Sequence, residues 1–308
     1  MSSVRGLDTQ GSSIWQRASQ RRLRQLPWER GKWHEQLRNG QPLRDVLILD
    51  AHAHLGEYSA FYINDAGADG MIKVMDRIGI QAAVISSNPA ISADPEYGNL
   101  LTLQTVQKYP GRFLGYVVAN PWYVENLGAE LNYYLDQPGM LGIKLHPELH
   151  DDYPMLSPRY EPVWAVASER CVPVLFHTYF AGDTLEDIAH LAAKYPRVPL
   201  LTGHELQDKN FDAMAELANS FPNIYIDLSA PEHYGLTEFF VSALDDIRKL
   251  LFATDFPWGN CHFRVGAIVY ARISEEAKRR ILGENLAELL GLNKESLEKR
   301  SESTLAGK

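Results

Sequence analysis

Cysteine is scarce in this sequence: 308 residues contain two, Cys171 and Cys261. That is too few for a disulfide framework, and no Cys-x-x-Cys pair exists to hold a metal through thiolates. The composition therefore fits a reducing setting, and a cytoplasmic protein is expected. Any metal site has to be built from histidine and carboxylate. Long apolar runs are also missing. Nothing approaches the roughly 18 consecutive apolar residues of a membrane span, and Met1 to Gln20 lacks the apolar core of a secretory leader. Excess positive charge is missing too. The formal net charge of −9 argues against general affinity for nucleic acid. No glycine-rich loop follows the first apolar run, which weakens a dinucleotide-binding reading.

Charge is unevenly spread. The first 45 residues carry Arg17, Arg21, Arg22, Arg24, Arg30, Lys32, Arg38 and Arg44 against few acids. Trp15, Leu23, Leu26, Trp28 and Trp33 lie among them. A transit peptide is disfavoured by Asp8, Glu29 and Glu35. The expectation is a basic helical arm over 1–45 that packs on the domain or on a neighbouring subunit, so a homo-oligomer held through the arm is expected.

The most informative stretch is Asp50-Ala51-His52-Ala53-His54, directly after the apolar run Val46-Leu47-Ile48-Leu49. A strand places alternate side chains on one face, so Asp50, His52 and His54 are expected to point the same way. Two imidazoles on one face at a strand end can grip one divalent ion, with small alanines keeping the site uncrowded. Two hydrogen-bonded core histidines are the alternative, and the nearby carboxylate favours the metal.

Beyond residue 45, short apolar runs alternate with longer helix-like patterns. The runs are Val46–Leu49, Gln81–Ser86, Phe113–Val118, Leu141–Leu145, Val172–His177, Val198–Thr202, Ile224–Leu228 and Leu250–Thr254. Tyr109-Pro110, Tyr195-Pro196 and Phe221-Pro222 mark helix stops. Strict alternation implies a parallel sheet with right-handed crossovers. Eight such units predict a (β/α)8 TIM barrel over 46–292, with the N-terminal helical extension before it and a polar tail over 293–308. The segment Glu275–Leu292 reads as a closing helix.

Chemistry in this fold collects at the C-terminal strand ends. Those ends carry Asp50, His52 and His54; Lys144 and His146; His177; His204; and Asp255. In Gly142-Ile143-Lys144-Leu145-His146, the aliphatic pair suits the outer helices and leaves Lys144 toward the barrel axis. A buried lysine needs a partner. An anionic substrate, a carboxylate such as Asp50, or carboxylation of the amine into a metal bridge would each supply one.

Taken together, these segments resemble the amidohydrolase superfamily, in its amidohydrolase 2 branch of metal-dependent hydrolases, lactonases and aromatic-acid decarboxylases. The resemblance rests on Leu49 to His54, Gly142 to Pro147, Pro173 to Thr178, Thr254 to Trp258 and Gly283 to Ala287. It implies that His52, His54, His177 and Asp255 bind the metal and that His204 lies beside it. After His204 the family usually has glycines, where this chain has Glu205-Leu206-Gln207. One divalent ion is implied, Zn2+ first, with Mn2+ or Fe2+ as alternatives. A second ion is expected only if Lys144 is carboxylated.

Such an ion would activate water at neutral pH. Asp255, His204 and Lys144 are the candidate catalytic groups: proton carrier, carbonyl polariser and carboxylate receiver. His146, Tyr153 and Trp258 are candidate substrate contacts, and Asp50 is a supporting carboxylate behind the ligands. The expected activity is hydrolysis of a small ester, lactone or amide, the substrate bearing a carboxylate. Non-oxidative decarboxylation of an aromatic or unsaturated acid with the same ligands is the alternative. A catalytically silent metal barrel is the third reading.

Overall fold

A strand covered on both faces has to be apolar nearly throughout, and the strands of this chain are. They are β1 Leu49–Leu55, β2 Ala82–Ser87, β3 Phe113–Val118, β4 Met140–Leu145, β5 Val174–His177, β6 Leu200–Gly203, β7 Ile224–Asp227 and β8 Leu250–Leu251. All neighbouring pairs are parallel, in sequence order. The computed structural model describes residues 31–123, 125–178, 183–204, 210–229 and 235–292.

The sheet closes between β8 and β1. Ala51 N–H donates to Phe252 O at 2.9 Å, Asp255 N–H to His52 O at 2.8 Å, and His54 N–H to Phe256 O at 2.6 Å. The protein is a (β/α)8 barrel. The first strand starts at Leu49 and carries the Asp50 to His54 motif through to Leu55.

Buried side chains sort into two sets. Ile85, Phe113, Ile143, Val174, Leu200 and Leu250 join the layer between sheet and helices. Leu49, Ala51, Val84, Leu114, Tyr116, Leu175, Leu201 and Leu251 fill the barrel interior, with Leu286 and Ala287 from the closing helix Asn285–Leu289. The N-terminal half of the barrel is therefore packed solid, and polar residues are left to the C-terminal half.

The proline signals hold. Helices Pro95–Lys108, Leu185–Lys194 and Phe211–Ser220 each end one residue before Tyr109, Tyr195 and Phe221. Those three residues have φ of −126, −123 and −123°, outside the helical region, as a following proline requires. Starts are capped by Asp94, Thr184 with Asp187 in a capping box, and Asn210.

Of the basic arm, the helix Lys32–Arg38 is described. It buries Trp33 and Leu37, and the Arg279 guanidinium lies 4.7 Å from the Trp33 ring. Trp15, Leu23, Leu26 and Trp28 lie outside the described residues, as does the tail from 293. Among the described residues no helix is long and apolar enough to cross a membrane.

Candidate metal centre

Parity along β1 sets the first part of the site. Leu49 and Ala51 face the interior, whereas Ala53 and Leu55 join the outer layer. The pairing of β1 with β2 is irregular between Asp50 and Ala53. An inserted residue flips the alternation. His52 and His54 therefore turn inward, and Asp50 takes the opposite face. The expectation that all three share one face is corrected on this point.

Asp50 ties the barrel seam instead. It accepts from His52 N–H at 3.1 Å, from Thr254 N–H at 3.0 Å and from the Thr254 hydroxyl. Burial still pushes its carboxyl up to about 7, against those hydrogen bonds.

Inside the barrel, Nε2 of His52 lies 3.1 Å from Nε2 of His54. Oδ1 of Asp255 is 3.1 Å from the His54 Nε2 and 3.7 Å from the His52 Nε2. Asp255 Oδ1 is buried and receives no hydrogen bond. Three ligand atoms at these separations match the edge of a tetrahedron with bonds of 2.0–2.1 Å, about 3.3 Å. A buried carboxylate oxygen facing two imidazole nitrogens without a donor fits a divalent cation.

Each histidine is held from behind. Nδ1 of His52 lies 2.7 Å from Oδ2 of Asp227, the last residue of β7, and both side chains are fully buried. Nδ1 of His54 lies 3.3 Å from the Ser86 hydroxyl on β2. Holding one ring nitrogen aims the other at the ion. Gly203 on β6 lets the His52 ring approach, since a Cβ there would sit 3.3 Å from His52 Cε1 and 2.9 Å from Phe176 O.

Lys144 is inward and fully buried, as strand parity predicts. Its Nζ is 2.8 Å from Nε2 of His52, so the partner is a histidine and not Asp50. Burial lowers its pKa, and Asp255 and Asp227 oppose that shift. Asp227 is raised by burial, with Ser229 and Lys144 acting the other way. Asp255 is held low, to about 2: its burial is outweighed by the attraction of His204, His54 and Lys144.

His177 and His204 form a second group. Nε2 of His204 lies 3.0 Å from Nδ1 of His177, and Nδ1 of His204 lies 3.0 Å from the Ser229 hydroxyl. Nε2 of His177 lies 3.3 Å from Oε2 of Glu148, and His146 stacks on the His177 ring at 4.0 Å. The close triangle is thus His52, His54 and Asp255, while His177 clusters with His146 and Glu148. The His204 ring lies 5.1 Å from that of His52, centre to centre, and links the two groups. His204 and Asp255 have φ of 68 and 56°. Non-glycine residues enter this region at a cost of about 1–3 kcal/mol, which clusters at functional sites.

Burial drives all these imidazoles toward the neutral form that ligates metals: His52, His146 and His204 fall well below 6.5, and His54 and His177 are also lowered. Of the substrate-contact candidates, Trp258 lies 5.3 Å from the His54 ring and packs on Tyr58 at 4.4 Å. Tyr153 packs instead on Trp122 and Tyr160. Asp227, Ser86, Ser229 and Glu148 were not reached by sequence reasoning. The only signal for Asp227 was its place at the end of a short β7 run.

The amidohydrolase family profile matches residues 49–292, and the chain belongs to that family. No curated protein matches. Similar solved structures include a 5-carboxyvanillate decarboxylase from Sphingomonas paucimobilis, 15% identical, with TM-score 0.63, covering 81% of this chain and 100% of that one. A dihydroxybenzoic acid decarboxylase from Polaromonas, with bound manganese and 2-nitroresorcinol, is 19% identical, with TM-score 0.62 and coverage of 83% and 99%. A protein from Acinetobacter baumannii described as a probable 2-pyrone-4,6-dicarboxylic acid hydrolase is 17% identical, with TM-score 0.61 and coverage of 80% and 99%. At such identities the likeness shows the fold.

Proposed function

We propose that this chain is a divalent-metal-dependent hydrolase of a small, carboxylate-bearing ester, lactone or amide, with His52, His54 and Asp255 holding the ion. The observation that carries the reading is the donorless Asp255 Oδ1, 3.1 Å from the His54 Nε2. The ion would supply Lewis acidity and a water nucleophile at neutral pH. Asp255 would be the group to take a proton from the attacking water and return it to the leaving group. His204 polarises the scissile carbonyl, and Lys144 is the cation available to a substrate carboxylate. His177, expected as the strand-five ligand, holds His204 through its Nδ1 and serves there as a positioning residue. The donor set suits Zn2+ and also Mn2+, and manganese is bound in two similar structures, both decarboxylases.

A second reading is non-oxidative decarboxylation. Trp258 and Tyr58 beside His54 form an aromatic wall suited to a ring, and several of the similar structures, the two described above among them, are aromatic-acid decarboxylases. The test is metal analysis of the purified chain, followed by parallel screens of lactones and esters for acid release and of aromatic acids for CO2 release. Release of CO2 from an aromatic acid, with no oxygen incorporated from labelled water, would replace the hydrolase reading by the second. No bound metal at all, with His52→Ala indistinguishable from wild type, would remove both.

A further inference from the structure

The Lys144 ammonium ends on the very nitrogen that the metal reading assigns to the ion. Two other buried lysines show what a purely structural lysine does in this protein. Lys249 donates to Ala218 O and Phe221 O, and Lys278 donates to Val269 O at 2.7 Å, each closing the end of a helix. Lys144 instead lies 2.8 Å from Nε2 of His52.

The hydrogen-bond roles at His52 are fixed from both sides. An ammonium group can only donate, so Nε2 must accept. Nδ1 then carries the proton, which it donates to Oδ2 of Asp227 at 2.7 Å. The ring thus presents one in-plane lone pair to the centre, and Lys144 uses it. An imidazole nitrogen has a single lone pair, which cannot serve an ammonium hydrogen and a metal ion together. A divalent ion within bonding distance of Nε2 would also repel the ammonium charge.

We propose that Lys144 is an internal cation that competes with the divalent metal for Nε2 of His52, so that metal entry expels the lysine and frees its ammonium for a substrate carboxylate. This rests on the metal reading above. Asp227 and Asp255 are the charged groups around Lys144, and both also attract the incoming ion. Removing Lys144 therefore takes away the competitor and the repulsion while leaving every ligand in place.

The sign of the expected effect separates this role from the others open to a strand-four lysine. If Lys144 were a carboxylated bridge, its loss would weaken binding or lower the number of ions. If it only filled the core, its loss would leave affinity unchanged. A competitor predicts tighter binding. A hydrogen bond to a charged group is worth about ten- to a hundred-fold in an equilibrium constant, and the affinity of Lys144→Met should rise by that factor.

The experiment is titration of Mn2+ and of Zn2+ into chelator-stripped full-length protein against a chromophoric competitor, for wild type, Lys144→Met, Lys144→Gln and His52→Ala. Circular dichroism checks the fold of each, and Lys144→Gln backs up Lys144→Met should that variant misfold. Tighter binding of one ion per chain in the Lys144 variants, lost in His52→Ala, supports the proposal. Equal or weaker binding in the Lys144 variants, with wild type binding normally, overturns it and leaves the metal reading standing. Absence of binding in every folded protein overturns both.

Discussion

Asp227 and His52 stand 2.7 Å apart, Oδ2 to Nδ1, the one ending β7 and the other in the middle of β1, with neither side chain touching solvent. A carboxylate in this position fixes the tautomer of the ring and makes its other nitrogen a better donor. Asp227→Asn should therefore weaken binding of Zn2+ or Mn2+ by about ten- to a hundred-fold, measured by chelator competition. Ser86→Ala, which removes a longer contact of 3.3 Å to His54, should cost less. Equal affinity in Asp227→Asn and wild type would show that the pair is not part of the metal centre.

Asp255 separates an enzyme from a silent barrel. Its backbone N–H holds the seam through His52 O and its carbonyl accepts from Gly259 N–H in the turn that follows, and an asparagine preserves that backbone. Asp255→Asn should keep the thermal midpoint of the metal-stripped protein and lower turnover of an identified substrate by about a hundred-fold or more. Unchanged turnover would favour the silent reading.

Gly203 tests how closely the barrel wall approaches the ligand. A methyl group there meets Phe176 O at 2.9 Å and His52 Cε1 at 3.3 Å. Gly203→Ala should destabilise the fold by about 1–3 kcal/mol in urea unfolding and should also weaken metal binding, because His52 has to move. A variant that loses stability but binds metal as wild type would mean that the strand yields instead.

Acid should destabilise the metal-stripped protein. Burial lowers His52, His54, His146, His177 and His204 below 6.5, and His150 to about 4. Below pH 6.5 the unfolded chain takes up protons that the folded one refuses, so stability falls as pH drops. Asp50, raised to about 7, and Asp227, also raised, act in the opposite sense, but they are two groups against six. The urea midpoint should be lower at pH 5 than at pH 7, by at most about 1.4 kcal/mol per pH unit for each histidine. A midpoint equal or higher at pH 5 would contradict this.

Much of the site was legible along the chain. Strand alternation gave the barrel, and the barrel told where its strands end. His52, His54 and Asp255 then fell on or just after the neighbouring strands β1 and β8, and Lys144 on β4 across the barrel, its inward parity readable from Ile143 and Leu145. Asp50 misled, because one irregular step in β1 reverses the alternation and no composition signal marks it. His177 was expected at the ion, yet its two nitrogens face His204 and Glu148. That choice depends on side-chain rotation at the strand end.

The sequence by itself determined the fold class, the order of the strands and the kinds of donor atom, since these follow from local periodicity and residue chemistry. Only the tertiary structure decided who holds whom. Asp227 meets His52 across 175 positions of chain and Lys144 meets it across 92. Such pairings are set by the tilt and stagger with which eight strands close into a barrel, a property of the whole sheet that no single stretch of residues encodes.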